Sequence, residues 1–225
     1  MSSAVLLQPF AERLHTFITD PQAIVNLRRY FGIDLPLGGV PFTGSRFEHL
    51  AGGGDRSEVA DRFTAEDVVA VQTLSVTVPA PVALDLLEGR LGAQLSRLLQ
   101  AVPRDIDMVD AEADVLASGS PADQAWHLLC TQHGVDWVIA GKLLARKRPR
   151  LLPVYDRVVR CALGRPRPSF WLALQAALRE NDRALHRQSV ELGQVAGVPE
   201  TVSVLRVCDV AVWMGHRAEG HACPR

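Results

Sequence analysis

The sequence predicts an all-α fold, and three observations support this prediction. Apolar residues recur every three or four positions in most segments of the chain. Several of these segments begin with a residue that commonly caps a helix, and glycine or proline follows most of them. No segment shows the sustained alternation of apolar and polar residues that is typical of a β-strand.

Helix starts and stops divide the pattern into ten predicted helices. Thr64 and Asp67 have the spacing of a capping box, and Ser120 before Pro121 is a good N-cap followed by proline at the first helical position. Gly134 is a natural residue to end the helix that Pro121 opens. The predicted helices cover 4–19, 21–30, 64–74, 82–101, 105–117, 121–133, 137–148, 155–163, 168–192 and 199–215.

The segment 31–62 interrupts the helical pattern. Seven glycines and two prolines lie between Gly32 and Asp55, which predicts a long loop with a short hairpin as the alternative. We therefore expect N-terminal helices and this loop, residues 1–62, to pack on a helical core of residues 63–215. A tail of residues 216–225 follows.

Composition excludes several classes of protein. With 48% hydrophobic and 22% charged residues, the 225-residue chain is neither a disordered nor a fibrous protein. No apolar run has the length of a membrane span, and the first residues lack the basic leader of a secretory signal. We therefore expect no membrane partner, a cytoplasmic location and four reduced cysteines. The sequence leaves the oligomeric state open.

A local basic segment is the feature that points to a polyanion. Between Lys142 and Arg167 lie nine cations and one acid, Asp156, although the net charge of the chain is −1. The cations are Lys142, Arg146, Lys147, Arg148, Arg150, Arg157, Arg160, Arg165 and Arg167. Several phosphate contacts along a nucleic-acid backbone would need such a cluster, whereas a solvated charged face is the alternative.

Other sequence motifs for catalysis or metal binding fail. The AGKLL segment has Leu143 where a phosphate-binding loop needs serine or threonine, and neither GxSxG nor HExxH occurs. Cys130 and His133 have ligand-like spacing, and His216, His221 and Cys223 cluster near the end of the sequence. Cysteines are usually buried apolar residues and tail histidines are usually solvated, so we predict no metal site and no cofactor.

The segment 134–163 has an order of elements suited to gripping a nucleic acid. A glycine-led turn, Gly134 and Val135, presents backbone N–H groups, and the N terminus of the next helix adds partial positive charge. Lys142 and Arg146, four residues apart, share a helix face and would extend the contact along the backbone. Asp156 then begins another helix after a proline-bracketed link.

These residues resemble the helix-hairpin-helix DNA glycosylases. The likeness covers Gly134-Val135, Ala140, Arg148-Pro149 and the segment 151–156, which ends in Asp156. It implies a helix-hairpin-helix fold that binds DNA, with Asp156 as the catalytic carboxylate in removal of a flipped base. The implied DNA-contacting residues are Gly134, Val135, Lys142, Arg146, Lys147, Arg148, Arg150 and Arg157.

Aromatic residues near this segment are the candidates for holding the base. Tyr155, Trp137 and Trp126 are expected to stack on the flipped base, and Phe42 and Phe47 to fill the gap left in the duplex.

Two departures from the glycosylase pattern change the expected activity. Asp136 replaces the second glycine of the turn and brings a negative charge close to the expected phosphate, unless it caps the next helix. Val138 stands near the position at which strand-cleaving members carry a lysine, so the resemblance implies a monofunctional enzyme.

Three alternatives stay open. Asp156 is also a good N-cap for the helix from Arg157 or a partner of Arg150 or Arg160, and the two tryptophans also suit a core. The protein would then be a non-catalytic module that binds nucleic acid or protein. An enzyme of another class that uses its carboxylates differently is the third alternative.

The chain as a whole resembles an uncharacterised family of actinobacterial proteins. The segments that carry this likeness are FTGSRFE (42–48), KLLARKRPRLLPVYD (142–156) and LRVCDVAVWM (205–214).

Overall fold

The structure is a computed structural model that describes residues 10–36, 38–164, 167–218 and 223, without the side chains of 167–169 and 218. All regular elements within these residues are helical, which confirms the all-α prediction. The α-helices are α1 (Phe10–Thr19), α2 (Gln22–Phe31), α3 (Ala65–Gln72), α4 (Ala80–Glu88), α5 (Arg90–Gln100), α6 (Pro121–Cys130), α7 (Trp137–Lys147), α8 (Arg157–Leu163), α9 (Arg167–Ala196) and α10 (Val204–Ala218). Short 3₁₀ helices cover Thr43–Arg46, Leu50–Gly52 and Ala113–Leu116.

Two predicted helices between residues 82 and 117 differ from the structure. The segment expected as one helix over 82–101 is split at Gly89, which has an extended backbone. A Cβ at Gly89 would overlap Asp85 Oδ1 and one at Gly92 would overlap the Leu86 carbonyl oxygen, so only glycine lets α4 and α5 approach this closely. The helix expected over 105–117 is absent apart from the 3₁₀ turn Ala113–Leu116.

The longest helix, α9, is interrupted where the sequence predicts a continuous helix. Residues 180–183 of α9 have non-helical backbone angles, and Asn181, Asp182 and Arg183 have positive φ. Non-glycine residues seldom adopt this conformation, so the break bends α9 at a strained position.

The chain forms two compact units. Unit 1 contains residues 1–41 and 155–225, and unit 2 contains residues 42–154. The sequence analysis expected boundaries at 62/63 and 215/216, whereas these two units meet at 41/42 and 154/155. Glycine-rich composition marks a loop, whereas unit membership depends on which helices pack against each other.

Unit 1 is built around α10. This helix packs against α1, α2, α8 and α9, and most of its side chains are buried. A buried polar group lies in this core, where the Arg206 guanidinium donates to the Tyr30 hydroxyl and to the Asp209 carboxylate. Burial raises the pKa of Tyr30, so the hydroxyl keeps its proton as it accepts this bond.

Unit 2 packs its helices in sequence order, with α4 on α5, α5 on α6 and α6 on α7, and places α3 against α7. The glycine-rich loop contributes two 3₁₀ turns to this unit, and no hairpin occurs in its described part. Among the residues that the structure covers, no helix has both the length and the apolar character of a membrane span.

Candidate functional site

The two helices expected on either side of the glycine-led turn at Gly134 are α6 and α7 of unit 2. Ser120 caps α6, Gly134 adopts a left-handed φ of 79° in the turn, and α7 begins at Trp137. Asp136 Oδ1 accepts the backbone N–H groups of Val138 and Ile139 at 3.1 and 2.9 Å. The Asp136 carboxylate therefore accepts the backbone N–H groups at the start of α7, which the sequence analysis expected to bind a phosphate. Gly134 is exposed and Val135 is buried.

Helix α7 is buried on all sides, which differs from the expected exposed basic face. Every residue from Val138 to Lys147 is buried. The side chains expected to contact DNA are only 4% exposed at Lys142, 1% at Arg146 and 0% at Lys147 and Arg148. These four cations therefore lie in the interior of unit 2. In this position they are accessible neither to DNA nor to solvent.

Arg146 holds the glycine-rich loop. Its guanidinium donates to the carbonyl oxygens of Phe47, Glu48 and Leu50 at 2.6–2.7 Å and to Asp67 Oδ1 at 3.0 Å. Phe47 and Glu48 lie between the two 3₁₀ helices, and buried backbone carbonyls need a donor. The arginine supplies these donors and thereby orders a segment that composition alone describes as a loop.

Asp67 is the counterion of the buried cations. It is 1% exposed and accepts from Arg146 Nε at 3.0 Å and from Lys147 Nζ at 2.8 Å. It also closes the predicted capping box by accepting the Thr64 backbone N–H. Burial lowers the pKa of Lys147, and the nearby Asp67 opposes this effect.

Arg148 joins three further parts of unit 2. It donates to the carbonyl oxygens of Ala60, Leu99 and Val102 and to Asp61 Oδ1, at 2.6–3.0 Å. Burial lowers the pKa of Arg148, and the hydrogen bond to Asp61 opposes this effect without cancelling it. Lys142 donates to the Leu74 carbonyl oxygen at 3.0 Å. We call Asp67, Arg146, Lys147 and Arg148 the buried ion cluster.

Gly54 borders the buried ion cluster and gives a test of its packing. A Cβ there would overlap the Arg146 carbonyl oxygen and lie 2.8 Å from both Arg146 Nε and Asp67 Oδ1. We expect Gly54→Ala to lower the free energy of unfolding by about 2–3 kcal/mol, because a packed core tolerates little added volume. Urea denaturation measures this loss.

Gly52→Ala is the matched control in the same loop. Its Cβ would come no closer than 3.8 Å to Arg56 Cδ, although its φ is 83°. Only the positive φ should cost stability there, roughly 1–2 kcal/mol. If Gly52→Ala destabilised the protein as much as Gly54→Ala or more, the steric overlap at Gly54 would not be the cause of the loss.

The other predicted cations that the structure describes, Arg150, Arg157 and Arg160, are exposed. Arg150 donates to both oxygens of Asp107 at 2.7 and 3.0 Å, and this hydrogen bond raises its pKa. Arg157 and Arg160 are exposed on α8, and Arg13 from α1 contacts the Gly164 end of the same helix. We call Arg157 and Arg160 the α8 arginine surface. Arg165 and the side chain of Arg167 lie outside the described residues.

Asp156 is the N-cap of α8. Its Oδ1 accepts the backbone N–H groups of Val158 at 2.9 Å and Val159 at 3.1 Å, and the residue is half-buried. This geometry matches the capping alternative that the sequence left open. Both bonds use the same carboxylate oxygen of Asp156.

The predicted base-stacking aromatics have different environments. Tyr155 is buried in unit 1, where its ring stacks on Phe170 at a centroid distance of 4.0 Å, and burial raises its pKa to about 12. Phe47 is fully buried in unit 2. Trp126 and Trp137 are half-buried in unit 2, as is Phe42.

A cavity of about 740 Å³ lies in unit 1 between α1 and the break in α9. Its wall includes Phe10, His15, Ala177, Glu180 and Gln188. None of the residues predicted from the sequence to hold a base lines it. Phe10 links it to the Tyr155 stack, because its ring makes an edge contact with Phe170 at 5.8 Å.

Three potential metal ligands of unit 1 lie together. The ligand atoms of Cys161 on α8, His216 on α10 and Cys223 are within 4.8 Å of one another. Burial, with a smaller contribution from Cys161, raises the pKa of the metal-free Cys223 thiol to about 12. Sequence spacing groups His216 with Cys223 but not with Cys161, because Cys161 comes from a distant part of the chain. His221 lies outside the described residues.

One family model matches residues 23–216. No curated protein and no solved structure matches the chain. The match confirms the expectation of an uncharacterised family and carries no information on its source organisms or on the glycosylase resemblance. The chain therefore belongs to DUF6308, a family of unknown function.

Proposed function

We propose that this protein binds DNA through the α8 arginine surface and that Asp156 acts in monofunctional removal of a base. The observation that carries the proposal is the half-buried carboxylate of Asp156 at the start of α8, beside the exposed Arg157 and Arg160. In the sequence, the glycine-led turn at Gly134 and the segment that ends in Asp156 follow the order of the glycosylase resemblance. Exposed arginines are the residues best suited to phosphate oxygens.

The reaction proposed for Asp156 is hydrolysis of the N-glycosidic bond. The enzyme would flip a nucleotide from the duplex, which costs a few kcal/mol. Asp156 would then stabilise the positive charge that develops on the sugar or accept a proton from the attacking water. The water oxygen bonds to the anomeric carbon, the bond to nitrogen breaks, and the base leaves with the electron pair and a proton.

A non-catalytic binding module is the second candidate function. The observation that favours it is the cap geometry, since the two backbone hydrogen bonds of Asp156 are those of an ordinary N-cap. Asp136 makes the same pair of bonds at the start of α7. Under this alternative the α8 arginine surface binds DNA without chemistry.

Base release from defined duplexes separates the two functions. The intact protein is incubated with DNA that carries deaminated, alkylated, oxidised or mismatched bases, and abasic sites are detected by strand breakage in alkali. A monofunctional enzyme produces breaks only after alkali treatment. DNA binding without any base release supports the module, and the absence of both excludes the proposal.

The salt dependence of DNA binding tests the α8 arginine surface. Each phosphate contact contributes about 0.9 to the slope of log affinity against log salt concentration. We expect Arg157→Gln with Arg160→Gln to lower this slope by roughly 2. Fluorescence anisotropy of a labelled duplex at several salt concentrations measures the slope.

Arg90→Gln is the control, because Arg90 is exposed on α5 of unit 2. Its slope should equal that of the unaltered protein. An unchanged slope in the double variant would place DNA contacts elsewhere, and binding that does not respond to salt would exclude a phosphate-contacting surface.

A further inference from the structure

We infer that Cys161, His216 and Cys223 form a zinc site in unit 1. The inference is independent of DNA binding, and it differs from the absence of a metal site expected from sequence spacing. Its basis is the convergence of two thiols and one imidazole, with all ligand atoms within 4.8 Å of one another.

The distances between the three ligand atoms come within roughly 1 Å of those in a tetrahedral zinc centre. With Zn–S near 2.3 Å and Zn–N near 2.0 Å, ligand atoms of such a centre lie roughly 3.5–3.8 Å apart. Contraction from an upper limit of 4.8 Å needs side-chain shifts of about 1 Å, which rotamer adjustment supplies. Three protein ligands leave the fourth position for water.

The donor set selects the class of metal. Thiolate sulfur is a soft ligand that favours zinc over magnesium or calcium, and imidazole nitrogen also suits zinc. A disulfide between Cys161 and Cys223 would use the two thiols but would give no role to the adjacent His216. The third donor is therefore the reason to prefer a metal to a redox pair.

Surrounding packing fixes the imidazole. His216 is buried, and the Phe17 ring makes an edge contact with it at a centroid distance of 6.4 Å. Helix α8, which carries Cys161, packs on α10, which carries His216. The metal would add Cys223 to this helix pair.

Zinc retention and cobalt spectroscopy test the site. The full chain is reduced, stripped with a chelator, loaded with Zn²⁺ and dialysed, and its metal is measured by mass spectrometry. We expect one zinc per chain in the unaltered protein and at least about tenfold weaker binding in Cys161→Ser and Cys223→Ser. Co²⁺ should give a thiolate-to-cobalt absorption band that each of the two substitutions weakens, because each removes one thiolate.

Cys130→Ser is the matched control. Cys130 is a half-buried thiol of unit 2 outside the cluster, so its loss should leave zinc binding unchanged. Zinc should also protect Cys161 and Cys223, but not Cys130, from alkylation, which peptide mass spectrometry resolves at each residue.

Three results would overturn the inference. They are no retained zinc in the unaltered protein, equal zinc affinity of Cys223→Ser and Cys130→Ser, or a Cys161–Cys223 disulfide that forms while no metal binds. Cys223 lies outside the helices that the structure describes. We therefore expect Cys223→Ser to fold normally, so that a loss of zinc binding reports on the site itself.

Discussion

Asp67→Asn is expected to lower the free energy of unfolding by about 3–5 kcal/mol, because it leaves buried cations without their counterion. Asp67 accepts from both Arg146 and Lys147, and all three side chains are at most 1% exposed. Asparagine has nearly the same shape but no charge, and its amide nitrogen would face a donor. The loss is therefore electrostatic and is not caused by a cavity.

Asp107→Asn is the control for a surface ion pair. Asp107 pairs with Arg150, whose side chain is 49% exposed, so water screens the interaction. The expected loss is at most about 1 kcal/mol. Urea denaturation gives both free energies.

Amide hydrogen exchange locates the effect within the chain. Exchange in α7 should accelerate far more in Asp67→Asn than in Asp107→Asn, because α7 contains the cations that lose their counterion. A loss in Asp67→Asn no larger than that in Asp107→Asn would show that the buried ion cluster does not stabilise unit 2.

Asp156→Asn is expected to reduce base release by about 10²–10⁴-fold, the usual contribution of a positioned proton-transfer group. The variant should keep its DNA affinity, because the α8 arginine surface is unchanged. Asparagine caps helices about as well as aspartate, so the free energy of unfolding should change by less than about 1 kcal/mol. Quantifying abasic sites after single-turnover reactions measures the activity.

Asp136→Asn is a closely matched control for this substitution. Asp136 caps α7 with the same two backbone hydrogen bonds that Asp156 makes on α8. If capping were the only role of Asp156, the two variants would behave alike. Full base release by Asp156→Asn would exclude the catalytic role and leave the carboxylate with a purely structural one.

The positions of the helix N-caps could be predicted from the sequence, but whether a cationic side chain is buried or exposed could not. Ser120, Thr64 and Asp136 cap helices at the expected places, because a cap depends on residues within a few positions of one another. The cations at 142–148 satisfied every local criterion for an exposed basic face. Their burial depends on carbonyl oxygens and carboxylates from 47–67 and 99–102, which local patterns do not bring together.

The same limit applies to the candidate sites. The amino-acid order indicated Asp156 as the start of a helix and placed His216 near Cys223. The approach of Cys161 to these two residues has no counterpart in ligand spacing. Residues 105–117 contain apolar positions and were expected to be helical. Their backbone instead follows tertiary partners, as in the bond from the Met108 N–H to the Arg150 carbonyl oxygen.

The sequence by itself determined the helical class, most helix positions and the caps, because periodicity and capping act over one or two turns. Only the tertiary structure decided which cations are buried, how the chain divides into two units and which cysteines meet a histidine. These properties arise from contacts between residues far apart in the chain, and desolvation of a charge depends on all the groups that surround it.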